Sequence, residues 1–492
     1  MKPRYYLLRI MALVIGLLVP ISIELVCRFF VEDLPSTDGY VEYLNQRPLF
    51  VLNQAQQVYE VADNRRAFFA QDSFPKLATS KTKRIFVLGG STVQGRPYSL
   101  PTSFPTCMQV GLETATKEYD WDVVNCGGVS YASYRLLPIL DEVLSYNPAA
   151  IVLCVGHNEF LEFMTYRDAV QAIDTFGESA VGWSNLATVR VLRSWVSQPD
   201  GSADVRQRQV AAKPLPTEVD ALLDQLDGWQ LYHRDGLDRD RICRQFSRNI
   251  QRMVTVCGER QVPLLLVSPV INLRDCPPFK SEFDSSISEV EQEQFLQQLV
   301  DATGTGTMQS QQASLVMARL CDQQPQYALA WYQMGRLLLD LGQTQEALAA
   351  FQRACDEDVC PLRMTSGLRS RLQQIAENSK VDFVDLQLFF QAESRHGIVG
   401  DDKLVDHVHP SFASQRKIGC LLAERLMQML EIPPAISNWK QPTLEKLSSD
   451  FDTLGSIYFL RGRRALDNLN GWARGRSHGT DLNALGEREQ SQ

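Results

Sequence analysis

The sequence predicts an α/β protein in which a parallel sheet lies between two layers of helices, and two observations predict it. Short, continuous apolar runs alternate with segments of helical spacing over residues 83–160, 240–275 and 365–431. Strands buried on both faces of a parallel sheet read as such runs, whereas half-exposed strands alternate. Three of the runs also end in glycine-containing turns with polar residues, Gly90-Ser91-Thr92, Gly127-Gly128-Val129-Ser130 and Gly156-His157-Asn158. Open α/β sheets place their sites at that end of the strands.

The elements follow in order. Lys2, Arg4 and Arg9 precede an apolar run from Ile10 to Cys27 that is interrupted only by Gly16, Pro20, Ser22 and Glu24. Its length suits a bilayer crossing, and the charge in front orients it as a single-pass signal anchor over residues 1–30. The chain after it is then expected on the extracytoplasmic side. A cleaved signal peptide is the alternative, although no small-x-small cleavage site follows. Residues 31–82 show no clear period and read as a linker. Ile85 to Leu88 predicts the first strand, 104–117 a helix, Trp121 to Asn125 the second strand, 133–146 a helix, and Ala150 to Val155 the third strand. The stretch 165–238 holds a polar patch, Ser197 to Gln209, expected as an exposed insertion. A helix over 239–257 and a strand from Val262 to Val267 follow.

The period then changes. Trp331, Gly335, Leu338, Gly342, Ala347, Phe351 and Ala354 fall where a tetratricopeptide repeat places large and small residues so that two helices approach closely. Met334 and Leu338 are tolerable departures, and Val359 stands where Pro is usual. Residues 288–325, with Ala313, Met317 and Pro325 roughly in phase, read as a degraded companion. One repeat cannot bury its own faces, so two or three helical pairs are expected over 286–362, against the alternative of an ordinary helical hairpin. The α/β pattern resumes with a helix near 364–378, a strand from Val381 to Leu386 and a helix over 411–431. One apolar helix (about 447–470) and a polar tail close the chain. The expected organisation is therefore an anchor (1–30), a linker (31–82), an α/β domain in two parts (83–285 and 363–435) split by a helical insert (286–362), and a C-terminal segment (436–492).

Bulk composition agrees. At 492 residues two or three folded units are expected, and 44% hydrophobic with 22% charged residues is globular. A net charge of −9 with both signs interspersed excludes a dedicated nucleic-acid binder. The 11 cysteines are odd in number, lack a CxxC pair and sit mostly in apolar runs. They read as core residues, not as a disulfide framework or zinc site.

The chemistry-bearing residues are Ser91, Asn158 and the pair Asp406 and His409. A serine hydroxyl needs a neighbouring base to act as a nucleophile. A His three residues after an Asp lets the carboxylate hold one ring nitrogen while the other faces the Ser. The order of Ser after the first strand, a turn after the second, Gly-x-Asn after the third and Asp-x-x-His near the last helix resembles the SGNH/GDSL hydrolase superfamily. That resemblance implies a three-layer α/β/α fold and ester hydrolysis without metal or cofactor. Its acyl-enzyme would form on Ser91, with His409 as base oriented by Asp406. The oxyanion hole would take donors from Asn158, from the Ser91 backbone and from the second turn. The family's turn glycine, counted from Asn125, falls on Ser130, where positive φ would be strained; Gly128 is the other candidate donor. The first block reads Gly-Gly-Ser in place of Gly-Asp-Ser, and Glu159 stands where Asp is usual. Arg274, in a rim loop, is a candidate contact for an anionic substrate.

Other readings stay open. Ser91 could cap the following helix, Asn158 could form a turn, and His409 could simply enter a helix before Pro410. Asp406, His407, His409 and His157 could bind zinc. The same triad could serve an O-acyltransferase. A non-catalytic membrane-anchored protein could use its helical insert to bind a protein or peptide. For the hydrolase, an extracytoplasmic location suggests carboxylic or O-acetyl esters of envelope glycans.

Overall fold

A computed structural model describes residues 48–167, 219–225, 228–303 and 310–476. The expected anchor, the Ser197–Gln209 patch and the tail beyond 476 lie outside the described residues. Among the described residues no helix is long and apolar enough to cross a membrane. The chain divides into two compact units, and the larger (Pro48–Met164 with Glu218–Gln492) holds all that follows except the last residue of α4, Thr165.

That unit opens with a three-stranded antiparallel sheet, β1 (Phe50–Asn53), β2 (Val58–Val61) and β3 (Ser73–Pro75). The sequence predicts only a linker here, and the correction has a physical cause. The strands are three or four residues long, too short to show a period, and they are held from outside. Glu142 accepts the N–H groups of Leu49 (2.6 Å) and Phe50 (2.8 Å), and Phe50 and Phe74 pack on Phe86 of the main sheet.

The main sheet is built as predicted. β4 (Thr82–Gly89) leads into the short helix α1 (Ser91–Gln94) and then α2 (Phe104–Ala115). β5 (Asp120–Gly127), α3 (Ser133–Leu144), β6 (Ala150–Cys154) and α4 (Glu159–Thr165) follow, then α5 (Gly236–Glu259) and β7 (Leu264–Ser268). With β8 (Asp382–Asp385, below) the strands form a five-stranded sheet in the order β5-β4-β6-β7-β8, every neighbouring pair parallel. β4, β6 and β7 are central and wholly apolar in their cores, as two-sided burial requires. Ile85 and Val87 face one helical layer with Met108 and Leu112 of α2, while Phe86 faces the other way, toward the aromatic cluster of the small sheet.

After β7 the chain leaves the sheet for four successive helices, α6 (Glu289–Thr303), α7 (Ser310–Gln323), α8 (Ala328–Asp340) and α9 (Thr344–Glu357). The α8–α9 pair turns at Gly342 (φ +75°) and is close-packed at Gly335, where a Cβ would come within 2.8 Å of the Phe351 ring. The insert is fastened at its neck. Buried Asp358, just past α9, accepts the N–H groups of Phe279 (2.7 Å), Lys280 (3.0 Å) and Cys360 (3.0 Å), so its exit is tied to its entrance. The chain then completes the α/β unit with α10 (Ser366–Ser379), β8, α11 (Leu386–Gln391) and α12 (Phe412–Met429). The C-terminal segment forms two helices, α13 (Lys440–Asp452) and α14 (Ser456–Arg476), where the sequence predicts one. The break at Thr453–Gly455 lets Phe451 and Phe459 both reach Phe412. Every described cysteine is a free thiol, Cys355 and Cys360 included.

Candidate active site

The site forms at the carboxyl ends of β4, β5 and β6. β4 ends at Gly89, and Ser91 opens α1 two residues later. The turn is tight at Gly90, where a Cβ would lie 2.9 Å from Nδ2 of Asn158 and a larger residue would need that amide to shift. Ser91 and Asn158 are thereby brought to one place. Ser91 Oγ lies 2.8 Å from Nε2 of His409, and His409 Nδ1 lies 2.7 Å from Oδ2 of Asp406. A carboxylate only accepts, so Nδ1 carries the proton and Nε2 is left to accept from the Ser91 hydroxyl.

The Asp406–His409 turn is held by its own carboxylate. Oδ1 of Asp406 accepts the N–H groups of Val408 (2.8 Å) and His409 (2.7 Å), which leaves Oδ2 for the imidazole. Burial alone would push this carboxyl up, but His409, His407 and the hydrogen bonds outweigh it and hold it well below the usual carboxylate range. From outside the turn, Asn272 donates its side-chain amide to the Asp406 carbonyl (3.2 Å) and its backbone N–H to that of His407 (3.0 Å).

The turn after β5 carries Ser130 and Gly128, the two backbone donors expected from the sequence. Ser130 has φ +61°, the left-handed conformation that the missing glycine would have accommodated without strain. No hydrogen bond engages its N–H among the described residues. Gly128 is corrected as a donor, because its N–H is already given to the Gly89 carbonyl (2.9 Å). Asn158 gives one amide hydrogen to the Tyr131 carbonyl (3.1 Å), and the other has no partner among the described residues. Arg274 is corrected as a substrate contact. Its guanidinium is spent on Asp275 (2.8 Å), Asp402 (2.7 Å) and the carbonyls of Arg395 and Ile398, so it ties the rim loop to the 395–402 segment.

Sequence reasoning missed the groups that hold this side. Glu159 accepts the N–H and hydroxyl of Ser133, each at 2.8 Å. Glu162, fully buried one turn later, accepts the Ala132 N–H (2.8 Å), the Tyr134 hydroxyl and the Arg135 guanidinium. Arg65 donates to the Tyr131 hydroxyl (2.9 Å). Asp72 accepts the Asn125 N–H (2.8 Å), and buried Asn125 bridges Val93 and Gly127. The available signal was a Glu-x-x-Glu pair inside the apolar run 159–164, a costly placement that demands partners.

His157 and His407 flank the triad and are held neutral. Burial, then the neighbouring His407 and His409, push His157 down to about 3. Burial pushes His407 down to about 4 against the pull of Asp406. Among the described residues no group of three or more His, Cys, Asp or Glu is arranged to hold a metal ion, and both ring nitrogens of His409 are engaged elsewhere.

No protein-family model and no curated protein matches the chain. Solved structures that it resembles include a lipase/acylhydrolase from Enterococcus faecalis (TM-score 0.31, 11% identity, 72% of this chain and 100% of that one). A GDSL-like lipase from Bacteroides thetaiotaomicron is also among them (TM-score 0.29, 11% identity, 71% and 91%), as is an acetylxylan esterase from Geobacillus stearothermophilus (TM-score 0.30, 11% identity, 71% and 94%). Scores and identities this low carry no function across, and what the chain does has to be read from the site itself.

Proposed function

We propose that this chain is a serine hydrolase of carboxylic esters, O-acetyl and related esters of glycans among them, tethered to a membrane by its N-terminal segment. The observation that carries the reading is the unbroken chain of short contacts from Asp406 through His409 to Ser91. General-base activation of the hydroxyl needs all three groups in that order. Ser91 Oγ attacks the ester carbonyl as its proton passes to His409 Nε2. The carbonyl oxygen takes the negative charge, facing the Ser91 N–H, the second amide hydrogen of Asn158 and the Ser130 N–H. The C–O bond then breaks, the leaving alkoxide takes the proton from His409, and the acyl group remains on Ser91. Water, deprotonated by His409, attacks the acyl-enzyme and releases the acid and the free serine. A sugar hydroxyl in place of that water would turn the same steps into acyl transfer. Asp406 stays ionised throughout and stabilises the imidazolium.

The helical insert is read as tetratricopeptide-like, supported by the tight approach of Gly335 to Phe351, and as the part available to a protein or peptide partner. The test compares wild-type, Ser91→Ala and His409→Ala proteins on p-nitrophenyl acetate. Turnover should fall about a thousandfold or more in both variants, and a fluorophosphonate should label only proteins that keep Ser91. Absence of both turnover and labelling in the wild type would overturn the esterase.

A further inference from the structure

A cavity of about 280 Å³ opens on the His407 side of Asp406, and the steps above leave it unused. The loop after β7 supplies Pro277 and Phe279, the loop before α12 supplies Asp401 and His407, and α14 supplies Asn470.

Three features point to a ligand. The imidazole of His407 lines the cavity and is nine-tenths buried, yet no hydrogen bond engages its ring. Asp406 Oδ1 stands 3.8 Å from its Nδ1, beyond hydrogen-bond reach. A neutral imidazole offers one donor and one acceptor, and neither ring nitrogen of His407 is sealed away, so both are open to a ligand in the cavity. Asp401 is the second feature. It is exposed at the cavity; one carboxylate oxygen takes the Asn272 amide (2.7 Å) and the other is open to solvent or to a ligand's hydroxyl. The third is charge. No Lys or Arg is among the described residues lining the cavity, and the nearby Arg274 is consumed by Asp275 and Asp402. An anionic ligand would meet Asp406 and Asp401, and the buried Arg363 behind the wall is already engaged by the carbonyls of Asn272 (2.6 Å) and Cys276 (2.7 Å). A purely apolar acyl chain would cover Asp401, His407 and Asn470 without satisfying any of them. A ligand with a hydroxylated edge and an apolar C–H face matches both the polar groups and the Pro277–Phe279 wall.

We propose that this cavity is a subsite for a neutral pyranose unit of the acylated substrate, with Asp401, His407 and Asn470 meeting its hydroxyls. The inference rests on the esterase reading for its place in the reaction, while the binding itself does not. His407 is thus a specificity residue, outside the proton transfers.

The test uses the full-length protein and two esters, mono-O-acetyl methyl glucopyranoside and p-nitrophenyl acetate. Asp401→Ala and His407→Phe should each raise KM for the sugar ester tenfold or more with kcat within about threefold. The ratio of kcat/KM for the sugar ester to that for p-nitrophenyl acetate should fall by the same factor. The wild type should favour the neutral sugar ester over its glucuronate counterpart at least tenfold. An unchanged ratio in both variants, or equal use of the glucuronate, overturns the subsite. So does a fall in kcat on both esters for His407→Phe with no effect of Asp401→Ala, which would mean that His407 only positions Asp406. Binding is read separately by saturation-transfer NMR of methyl glucopyranoside on Ser91→Ala protein. Binding that disappears on adding Asp401→Ala, in a protein whose wild type cleaves no ester, would sink the triad reading and leave the subsite standing.

Discussion

The two walls of this cleft are fastened by opposite means. On the oxyanion side, the turn from Ser130 to Arg135 is gripped by two buried carboxylates of α4, Glu159 and Glu162, with Arg135 as the buried counter-charge. On the base side, the Asp406–His409 turn is folded around its own carboxylate and backed by Asn272. The first wall borrows its order from another element; the second carries most of its order within four residues. Sequence reveals the second kind and conceals the first, because a local turn announces itself by spacing and a distant clamp does not.

The sharpest way to break that comparison is Glu162→Gln. The Arg135–Glu162 pair is wholly buried, and breaking such a pair by removing one partner costs about 3–5 kcal/mol. The substitution also weakens what holds the Ala132 N–H and the Tyr134 hydroxyl. A drop of that size in the denaturant-unfolding free energy, with esterase activity lost in step with folding, is the expected outcome. A change below about 1 kcal/mol would mean that the turn supports itself and that the walls are alike.

The walls also differ in their response to pH. Burial raises Glu159 to about 7, with Ser133 opposing and Glu162 adding to the shift. The folded chain therefore binds a proton there that the unfolded chain has released, and this contribution to stability is lost as pH rises through about 7. His157 and His407 run the other way. Held down to about 3 and about 4, they stay neutral while the unfolded chain takes up protons, so their contribution is present above about pH 6.5 and lost on acidification. Between pH 6 and 5, Glu159→Gln should make stability fall more steeply with acid, and His407→Phe less steeply. Each change should approach the one-proton slope of about 1.4 kcal/mol per pH unit. Denaturant titrations at the two pH values check both signs; parallel slopes in wild type and variants would show that neither group is shifted.

Much of the fold was legible because its signals are local. The apolar runs at Ile85–Leu88, Ala150–Cys154 and Leu264–Val267 could only be central parallel strands. Ser91, Asn158, Asp406 and His409 fell at element boundaries, and the structure brings all four together. What was missed depends on distance in the chain. β1 to β3 owe their existence to Glu142 and to Phe86, and Asp72 reaches Asn125 across 53 positions. Arg274 and Gly128 were misjudged for the same reason, since nothing near them in sequence shows that Asp402 and the Gly89 carbonyl have already claimed their donors.

The smallest effect sharpens the comparison most finely. Ser130 is held at φ +61° on the wall that is clamped from outside, and a non-glycine residue in that conformation costs about 1–2 kcal/mol. Ser130→Gly removes this strain but loosens the unfolded chain, which takes back roughly 0.5–1 kcal/mol. A net gain of about 0–1.5 kcal/mol is expected in the denaturant-unfolding free energy. Because the oxyanion donor assigned here is the backbone N–H, kcat on p-nitrophenyl acetate should stay within about threefold. If stability rises while kcat falls tenfold or more, the hydroxyl of Ser130 is the group that matters. The strain would then be what aims it, and the departure from glycine at this position would be a functional feature of this chain.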